Sequence, residues 1–441
     1  MKRAIAGAVL LTVAAIVLAV VLLGPSDENE REGSQETERR SDQRAPAGPP
    51  SGPRVAGDTL TIYSSMPLQG PTRPTSKSIN NGAKLALQEH GGKAGRFTIQ
   101  FETLDDATPA EGKWDPVKTQ RNARKAARDK TTIAYIGEFH SGASANSIPI
   151  LNRKEILQVS PSNTAVGLTA DDPPEALERG EPDKHYPTGR RTYGRIMPND
   201  DVQGRAIATD MKYLGCTKAF VVHDGDIYGH GVAAAFEAAA PGLRVDVVGS
   251  TAFDPSARNY RSLARRVRAS GADCFLGSLI AENNGVRLFE DMARGNPDLR
   301  LWAPDGVAKA AFIDSERGGL SDLVAIQTRV SLGTLDPGQY PPAGRRFFER
   351  YAAAYGEDPE PSAIYGYEAM SVILDAIGRA GRYGNYRRAV TDAFFATKDR
   401  DSVLGRYSIN QDGDTSLAEY GIYIINIDEL DFERKVVAAE G

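Results

Sequence analysis

The chain has 441 residues, enough for two or three domains, and its net charge of -5 gives no basic face to hold nucleic acid. Its five histidines (90, 140, 185, 223 and 230) show no metal-ligand spacing such as H-E-x-x-H, so neither a metal nor a cofactor is expected.

Met1-Lys2-Arg3 precede an apolar run from Ala4 to Gly24 in which only Thr12 is polar. The run is about as long as a bilayer-crossing helix. Basic residues before it and Asp27, Glu28, Glu30 and Glu32 after it put the N-terminus in the cytoplasm and the rest outside. Its exit, "LAVVLLGPSDENE", has no A-x-A-like site, and no cysteine follows for lipid attachment. Residues 1–24 are therefore expected to stay as a transmembrane anchor; secretion after signal cleavage is the alternative. Residues 25–57 have no Phe, Trp or Tyr and are dense in Glu, Arg, Ser, Pro and Gly, which predicts a disordered tether. Folding is expected to begin near Asp58.

From Leu60 onward short apolar strands alternate with amphipathic helices. "LTIYSS", "FTIQFETL", "TTIAYIGEF" and "ILQVS" read as strands, with helices "SKSINNGAKLALQEHG" and "VKTQRNARKAARD" between them. Beyond the Pro- and Gly-rich "DDPPEALERGEPDKHYPTGRR" come "KAFVVHD", "RVDVVGS", "DCFLGSLI" and "RLWAPD", with the helix "YRSLARRVRASG". Buried strands alternating with helices predict parallel sheets, here two doubly wound α/β lobes. The last part is richer in helix: "GRRFFERYAAAYG", "SAIYGYEAMSVILDAIGRAG" and "NYRRAVTDAFFATK" precede strand-like "GRYSIN" and "YGIYIINI". Tyr367, Met370, Ile373, Ile377 and Ala380 fall on one helical face. These pieces must complete both lobes, so the chain crosses between them more than once.

Two neighbouring strands end in hydroxyls. Ser141 and Ser144 follow the first, and Ser160, Ser162 and Thr164 follow the second. In open α/β sheets ligands bind outside the carboxyl ends of strands, where helix N-termini offer free N–H groups. Hydroxyls and amides there suit a carboxylate, and nearby carbonyls suit an ammonium group. Simple helix capping is the alternative. Catalysis is poorly served: no G-x-S-x-G occurs. "GHGVAA" from Gly229 imitates a dinucleotide fingerprint but lies five residues, "DGDIY", beyond its strand. "NQDGDTS" at 410–416 has its glycine too early for a calcium loop and reads as a hairpin turn.

Taken in order, "NNGAKLALQEHGG", "LDDA", "YIGEFHSGASANSIPIL", "VSPSNTAVGLT", "NDDVQG", "VVHDGDIYGHGVA", "APDGVA", "YGYEAM" and "LGRYSINQDGD" resemble the branched-chain amino-acid-binding proteins of ABC transporters. The resemblance runs from about Leu60 to Ile427. It implies a type I periplasmic-binding-protein fold: two Rossmann-like lobes joined by three crossovers and closing on one small molecule. The implied lobes are 58–194 plus 331–400, and 195–330 plus 401–432. It also implies that Ser141 and Thr164 hold a ligand carboxylate and that the Ser162 carbonyl helps hold the α-ammonium. Asp305 would complete the ammonium site, and Tyr228 would close over the ligand. A helix N-cap is the alternative role for Asp305. Leu279 and Ile280 stand where the family often has an aromatic, and His140 and Asn163 replace smaller residues. The pocket is thus expected to depart from leucine, isoleucine or valine. The implied partners are an amino acid or similar solute, an ABC permease with its ATPase, and the membrane through residues 1–24. A ligand-sensing head of a membrane signalling system is the alternative function, and an enzyme comes third.

Cys216 precedes one strand of the second lobe and Cys274 opens another. First and third strands of a doubly wound lobe are often neighbours, so a disulfide is expected in an oxidising exterior; two separate thiols are the alternative.

Overall fold

Parallel sheets with helices on both faces account for most of the chain. The computed structural model describes residues 50–109, 113–171, 179–426 and 428–438. The expected anchor and residues 25–49 of the tether lie outside them. Among the described residues no helix is long and apolar enough to cross a membrane.

The first sheet uses β1 (Thr59–Met66), β2 (Lys93–Ala94), β3 (Phe97–Asp105), β4 (Thr132–Gly137), β5 (Leu157–Ser160) and β6 (Tyr193–Arg195), in the order β2-β3-β1-β4-β5-β6. Its pairs are parallel except β2 with β3. β4 and β5 are buried end to end because helices cover both faces, which is why they read as unbroken apolar runs. The connecting helices are α1 (Arg73–Glu89), α2 (Pro116–Arg128) and α3 (Ser141–Asn152). The start of α2 is chemically marked: the Asp115 carboxylate accepts from Lys118 N at 2.7 Å, and Pro116 opens the first turn.

The second sheet uses β7 (Lys218–His223), β8 (Asp246–Ala252), β9 (Cys274–Ser278), β10 (Arg300–Ala303) and β11 (Thr328–Leu332) in parallel. Its helices are α4 (Asp200–Tyr213), α5 (Ile227–Ala239), α6 (Arg261–Ser270) and α7 (Gly285–Gly295). The chain then returns to the first lobe with α8 (Pro342–Tyr355), α9 (Ala363–Arg379) and α10 (Arg387–Phe395), and adds a hairpin of β12 (Arg400–Ser402) and β13 (Gly405–Tyr407). It crosses a third time to place β14 (Glu419–Asn426) and β15 (Glu429–Val437) antiparallel at the edge beside β11. The order is β15-β14-β11-β10-β9-β7-β8. Cys216 and Cys274 are joined by a disulfide, with β7 and β9 adjacent and a Cα separation of 6.0 Å.

Several expectations need correction. Residues 50–57, read as tether, lie against the first lobe: Val55 is fully buried and its N–H donates to Asn385 O at 2.8 Å. One valine and a run of backbone bonds suffice to dock a polar segment. Residues 401–409, assigned to the second lobe, belong with the first. Val403, Leu404, Tyr407 and Ile409 join its core, and Tyr407 donates to Glu368 Oε1 at 2.8 Å. Helix α9 is buried all round from Ala363 to Leu374, not on one face, because it is wedged against α1. A Cβ on Gly366 would stand 2.1 Å from Ile79 O, so glycine is required at this contact. "GHGVAA", already set aside as a dinucleotide turn, lies inside α5 and needs no correction.

Two buried charge arrangements hold these parts in place. Arg195, at the end of β6 where the chain first leaves the lobe, is fully buried. It donates from Nε to Asp414 Oδ1 at 2.6 Å and from Nη1 to Ala165 O at 2.7 Å. Asp414 belongs to the turn within 410–416, so this pair ties the first crossover to the approach of the third. Glu138 and Asp106 are fully buried carboxyls at the ends of β4 and β3. Tyr135 OH donates to Glu138 Oε1 at 2.9 Å. Burial pushes both carboxyls up, and on Asp106 the neighbouring Glu138 adds to the rise. The pair therefore retains a proton that the unfolded chain releases.

Asp414→Ala leaves the Arg195 guanidinium buried without its counter-charge, and is expected to lower unfolding stability by about 3–5 kcal/mol, measured by urea titration. Because the native state holds the extra proton, stability attributable to Glu138 and Asp106 falls as pH rises above the ordinary carboxylate range. Glu138→Gln keeps an acceptor for Tyr135 and removes one ionisation. Its melting temperature should therefore fall less than the parent's between about pH 5 and 8. Parallel curves for the two proteins would refute the raised Glu138 carboxyl.

Candidate functional site

Between the lobes lies a cleft of about 680 Å³, within the usual range of roughly 300–1,000 Å³ for small-molecule sites. On the first-lobe side it is floored by the loops after β4 and β5. These strands are parallel neighbours, so both loops emerge at the same edge. The carbonyls there, which have no ladder partner, are satisfied by the hydroxyl-rich sequence itself. Ser160 Oγ donates to Glu138 O at 2.9 Å and accepts from Asn163 N at 2.9 Å. Ser162 Oγ donates to Phe139 O at 2.8 Å, and Asn163 Nδ2 donates to the same carbonyl at 2.9 Å.

Ser141 opens α3, and its Oγ accepts from Ala165 N at 3.3 Å. An accepting hydroxyl still has its own proton to donate, which suits an anion in the cleft. Ser141 and Ser162 both line the cleft, as do Tyr228 and Asp305 from the second lobe. Thr164 does not. It is buried behind the floor, where its carbonyl accepts from Asp200 N at 2.8 Å. The Asp200 carboxyl beside it is pushed up by burial, against which the Thr164 hydroxyl works.

Asp305 follows β10 in a single 3₁₀ turn whose N-cap is Pro304, and no side chain caps that turn. Its carboxylate is instead held from the side: Oδ1 accepts from Tyr228 OH at 2.6 Å and from Gln203 Nε2 at 2.7 Å. Burial raises the Asp305 carboxyl, and these two hydrogen bonds pull the other way. Tyr228 also accepts from Gly306 N at 2.8 Å. A Cβ on Gly306 would meet the Tyr228 ring at 2.6 Å, so this close seating depends on glycine.

Contacts between the lobes close the mouth. Thr72 Oγ1 donates to Glu282 Oε1 at 2.9 Å, and Lys113 Nζ donates to Asn283 Oδ1 at 2.9 Å. Both oxygens of Glu282 also accept from Lys309 Nζ, at 2.8 and 2.9 Å, in a buried ion pair. Burial alone would raise the Glu282 carboxyl, but the Lys309 charge brings it down to about 2. The Lys309 ammonium also faces the Phe139 ring of the other lobe at 5.9 Å.

Gln203, Glu282 and Lys309 escaped the sequence reading as individual site residues. Gln203 lies in "NDDVQG" and Lys309 directly follows "APDGVA", so the quoted motifs bracket them. Ile280 lines the cleft, whereas Leu279 is packed in the second-lobe core. Among the described residues, one group of His, Cys, Asp or Glu is close enough to share an ion. It is Cys216, Asp273 and Cys274, whose sulfurs are already bonded to each other.

Known proteins share this two-lobed architecture. The Leu/Ile/Val-binding protein BraC3 of Rhizobium johnstonii is 24% identical over 375 residues, covering 84% of this chain and 92% of its own. A leucine binding protein, LivK, from Thermotoga maritima superposes with a TM-score of 0.71 at 21% identity, over 86% of this chain and 99% of that one. A solute binding protein from R. palustris, solved in complex with benzoate, gives a TM-score of 0.68 at 18% identity, over 86% and 96% of the two chains. The family described as periplasmic binding protein matches residues 60–429. That span includes the first sheet from Leu60, the second sheet up to its edge strand β15, and the cleft residues from Thr72 to Lys309, and the family is one of binding proteins, not enzymes. The chain belongs to the periplasmic binding protein family.

Proposed function

We propose that the protein is the extracytoplasmic solute-binding component of an ABC importer and that its solute is an α-amino acid. The observation that carries the amino-acid reading is Asp305. A carboxylate, oriented by Tyr228 and Gln203, lines the same cleft as the Ser141 and Ser162 loops. An α-amino acid presents an anion and a cation on neighbouring atoms. Ser141 can donate to the anion and Asp305 can accept from the cation, so one ligand engages both lobes. An aromatic acid such as benzoate has an anion but gives Asp305 nothing to pair with. An ammonium group also favours the ionised form of Asp305, so binding releases whatever proton its burial had retained.

The relatives support the class of ligand more than its identity. Proteins named for leucine, isoleucine and valine share the fold, and so does a benzoate complex. The ligand-sensing alternative uses the same cleft and differs only in the membrane partner.

Thermal unfolding of the full chain against the twenty amino acids and benzoate identifies the solute by the rise in apparent stability. Asp305→Ala is then expected to weaken binding by about 3–5 kcal/mol, roughly a hundred- to a few thousand-fold, when titrated by calorimetry. Thr164→Ala is expected to cost less, since it lies behind the cleft floor. An Asp305→Ala protein that binds its amino acid as tightly as the parent would remove the ammonium site and with it the amino-acid assignment.

A further inference from the structure

Two donors hold Asp305, and both reach the same oxygen. Tyr228 OH and Gln203 Nε2 donate to Oδ1 at 2.6 and 2.7 Å. Oδ2 takes neither bond, and Asp305 lines the cleft half-buried, so Oδ2 is the oxygen left for a ligand. The two donors are not equivalent. Tyr228 OH also accepts from Gly306 N, so it is bound to the Asp305 turn and follows any shift of that turn. Gln203 comes from elsewhere: it is fully buried one turn into α4, just after the first crossover.

The Gln203 amide is used only as a donor. Of its two protons one goes to Asp305 and the other to Ser331, whose O and Oγ lie at 3.2 and 3.0 Å. Its own oxygen, Oε1, is buried without a partner. Buried amides normally bond through both ends. Turned over, the amide would set Oε1 against Asp305 Oδ1 and the Ser331 carbonyl, acceptor against acceptor. The orphaned oxygen thus marks an orientation dictated by Asp305 and Ser331.

Gln203 also stands where two crossovers meet. Asp200 N, three residues before it, donates to Thr164 O of the first lobe at 2.8 Å. Ser331 is next to last in β11, where the chain leaves for the second crossover. A Cβ on Gly333 would stand 2.1 Å from Met197 Sδ, so the two connections are packed against each other. The place of this amide is therefore set by the hinge and not by the Asp305 turn.

We propose that Gln203 is a positioning residue for ammonium recognition: it holds Asp305 Oδ1 against the hinge so that Oδ2 faces the cleft. This inference rests on the amino-acid reading above. With Tyr228 as its one donor, the carboxylate can turn about Cβ–Cγ and take the tyrosine proton on either oxygen. A second donor on the same oxygen, from a different element, removes that freedom, and an ammonium group then meets an oriented acceptor. A ligand without the cation gains little from that orientation. Gln203 therefore acts on one class of ligand and not on the other.

The test is calorimetry of the full chain with the twenty amino acids, then with the α-hydroxy acid that matches the tightest of them. Lactate serves for alanine, for example, and 3-phenyllactate for phenylalanine; each exchanges the ammonium group for a hydroxyl on the same skeleton. Parent protein should favour the amino acid by about a hundredfold or more. Gln203→Met keeps the length and removes both donors. It should reduce that preference by about tenfold or more, while affinity for the hydroxy acid changes by less than about threefold. Gln203→Asn withdraws the amide by one carbon and should act in the same way, which keeps the test open if the first variant fails to fold. Equal weakening of the two ligands, or an unchanged preference, overturns the inference and leaves the amino-acid reading standing. Parent protein that binds both members of the pair alike removes the ammonium site itself. Binding of none of the twenty overturns the amino-acid reading, and either of these last two results takes the inference with it.

Discussion

Parallel strands deliver their following loops to one edge, and the backbone groups in those loops must be satisfied without a ladder to bond to. That constraint organises the site. At the ends of β4 and β5 the carbonyls of Glu138 and Phe139 would be left unpaired inside the protein. Ser160, Ser162 and Asn163 satisfy them, and Tyr193 OH in turn holds Asn163 Oδ1 at 3.0 Å. The hydroxyl-rich sequence is thus first a solution to a backbone problem. In the proposed function the ligand uses what remains after that solution, chiefly the Ser141 hydroxyl.

The same reasoning explains which parts were legible in the sequence. Strands buried on both faces, such as β4, β5 and β9, are unbroken apolar runs, and their order with the helices between them indicated two doubly wound lobes. β11 was not read, although it is an interior strand of the second sheet. Its Arg329 breaks the apolar run, and the structure explains it: the guanidinium pairs with Glu433 at 3.2 Å and lies over the Trp302 ring. β15 was missed for a related reason. It is an edge strand with alternating burial, and "ELDFERKVV" has the composition of a charged loop. Crossovers between lobes leave no periodic mark at all. The hairpin at 400–407 was assigned to the wrong lobe because only tertiary contacts, Arg400 and Tyr407 with Glu368, decide its side.

Among the candidate residues, Ser141, Ser162, Tyr228 and Asp305 do gather around one cleft, and Thr164 does not reach its surface. Motif matching places residues along the chain but does not fix which of two adjacent side chains points into a cavity. The ion pair of Lys309 with Glu282 illustrates the opposite limit. Nothing in "AENNG" or "VAKAA" signals a buried charge, and only the fold brings the two together.

Closure has a definite set of contacts, and their strengths are unequal. Thr72 to Glu282 and Lys113 to Asn283 each span the lobes with one hydrogen bond, and such bonds are worth only about 0.5–3 kcal/mol net. The buried ion pair of Lys309 with Glu282 lies wholly within the second lobe, so lobe separation need not break it. It fixes Glu282 as a ready acceptor for Thr72 but does not itself favour the closed state. A ligand that meets Ser141 on one side and Asp305 on the other adds interactions available only when the lobes are together. Its differential affinity then decides the population. The residues proposed to hold the ligand are oriented by bonds inside their own lobes, Asp305 by Tyr228 and Gln203, and Ser141 by Ala165. Each half-site is thus prepared before the halves meet, and closure need not reorder it.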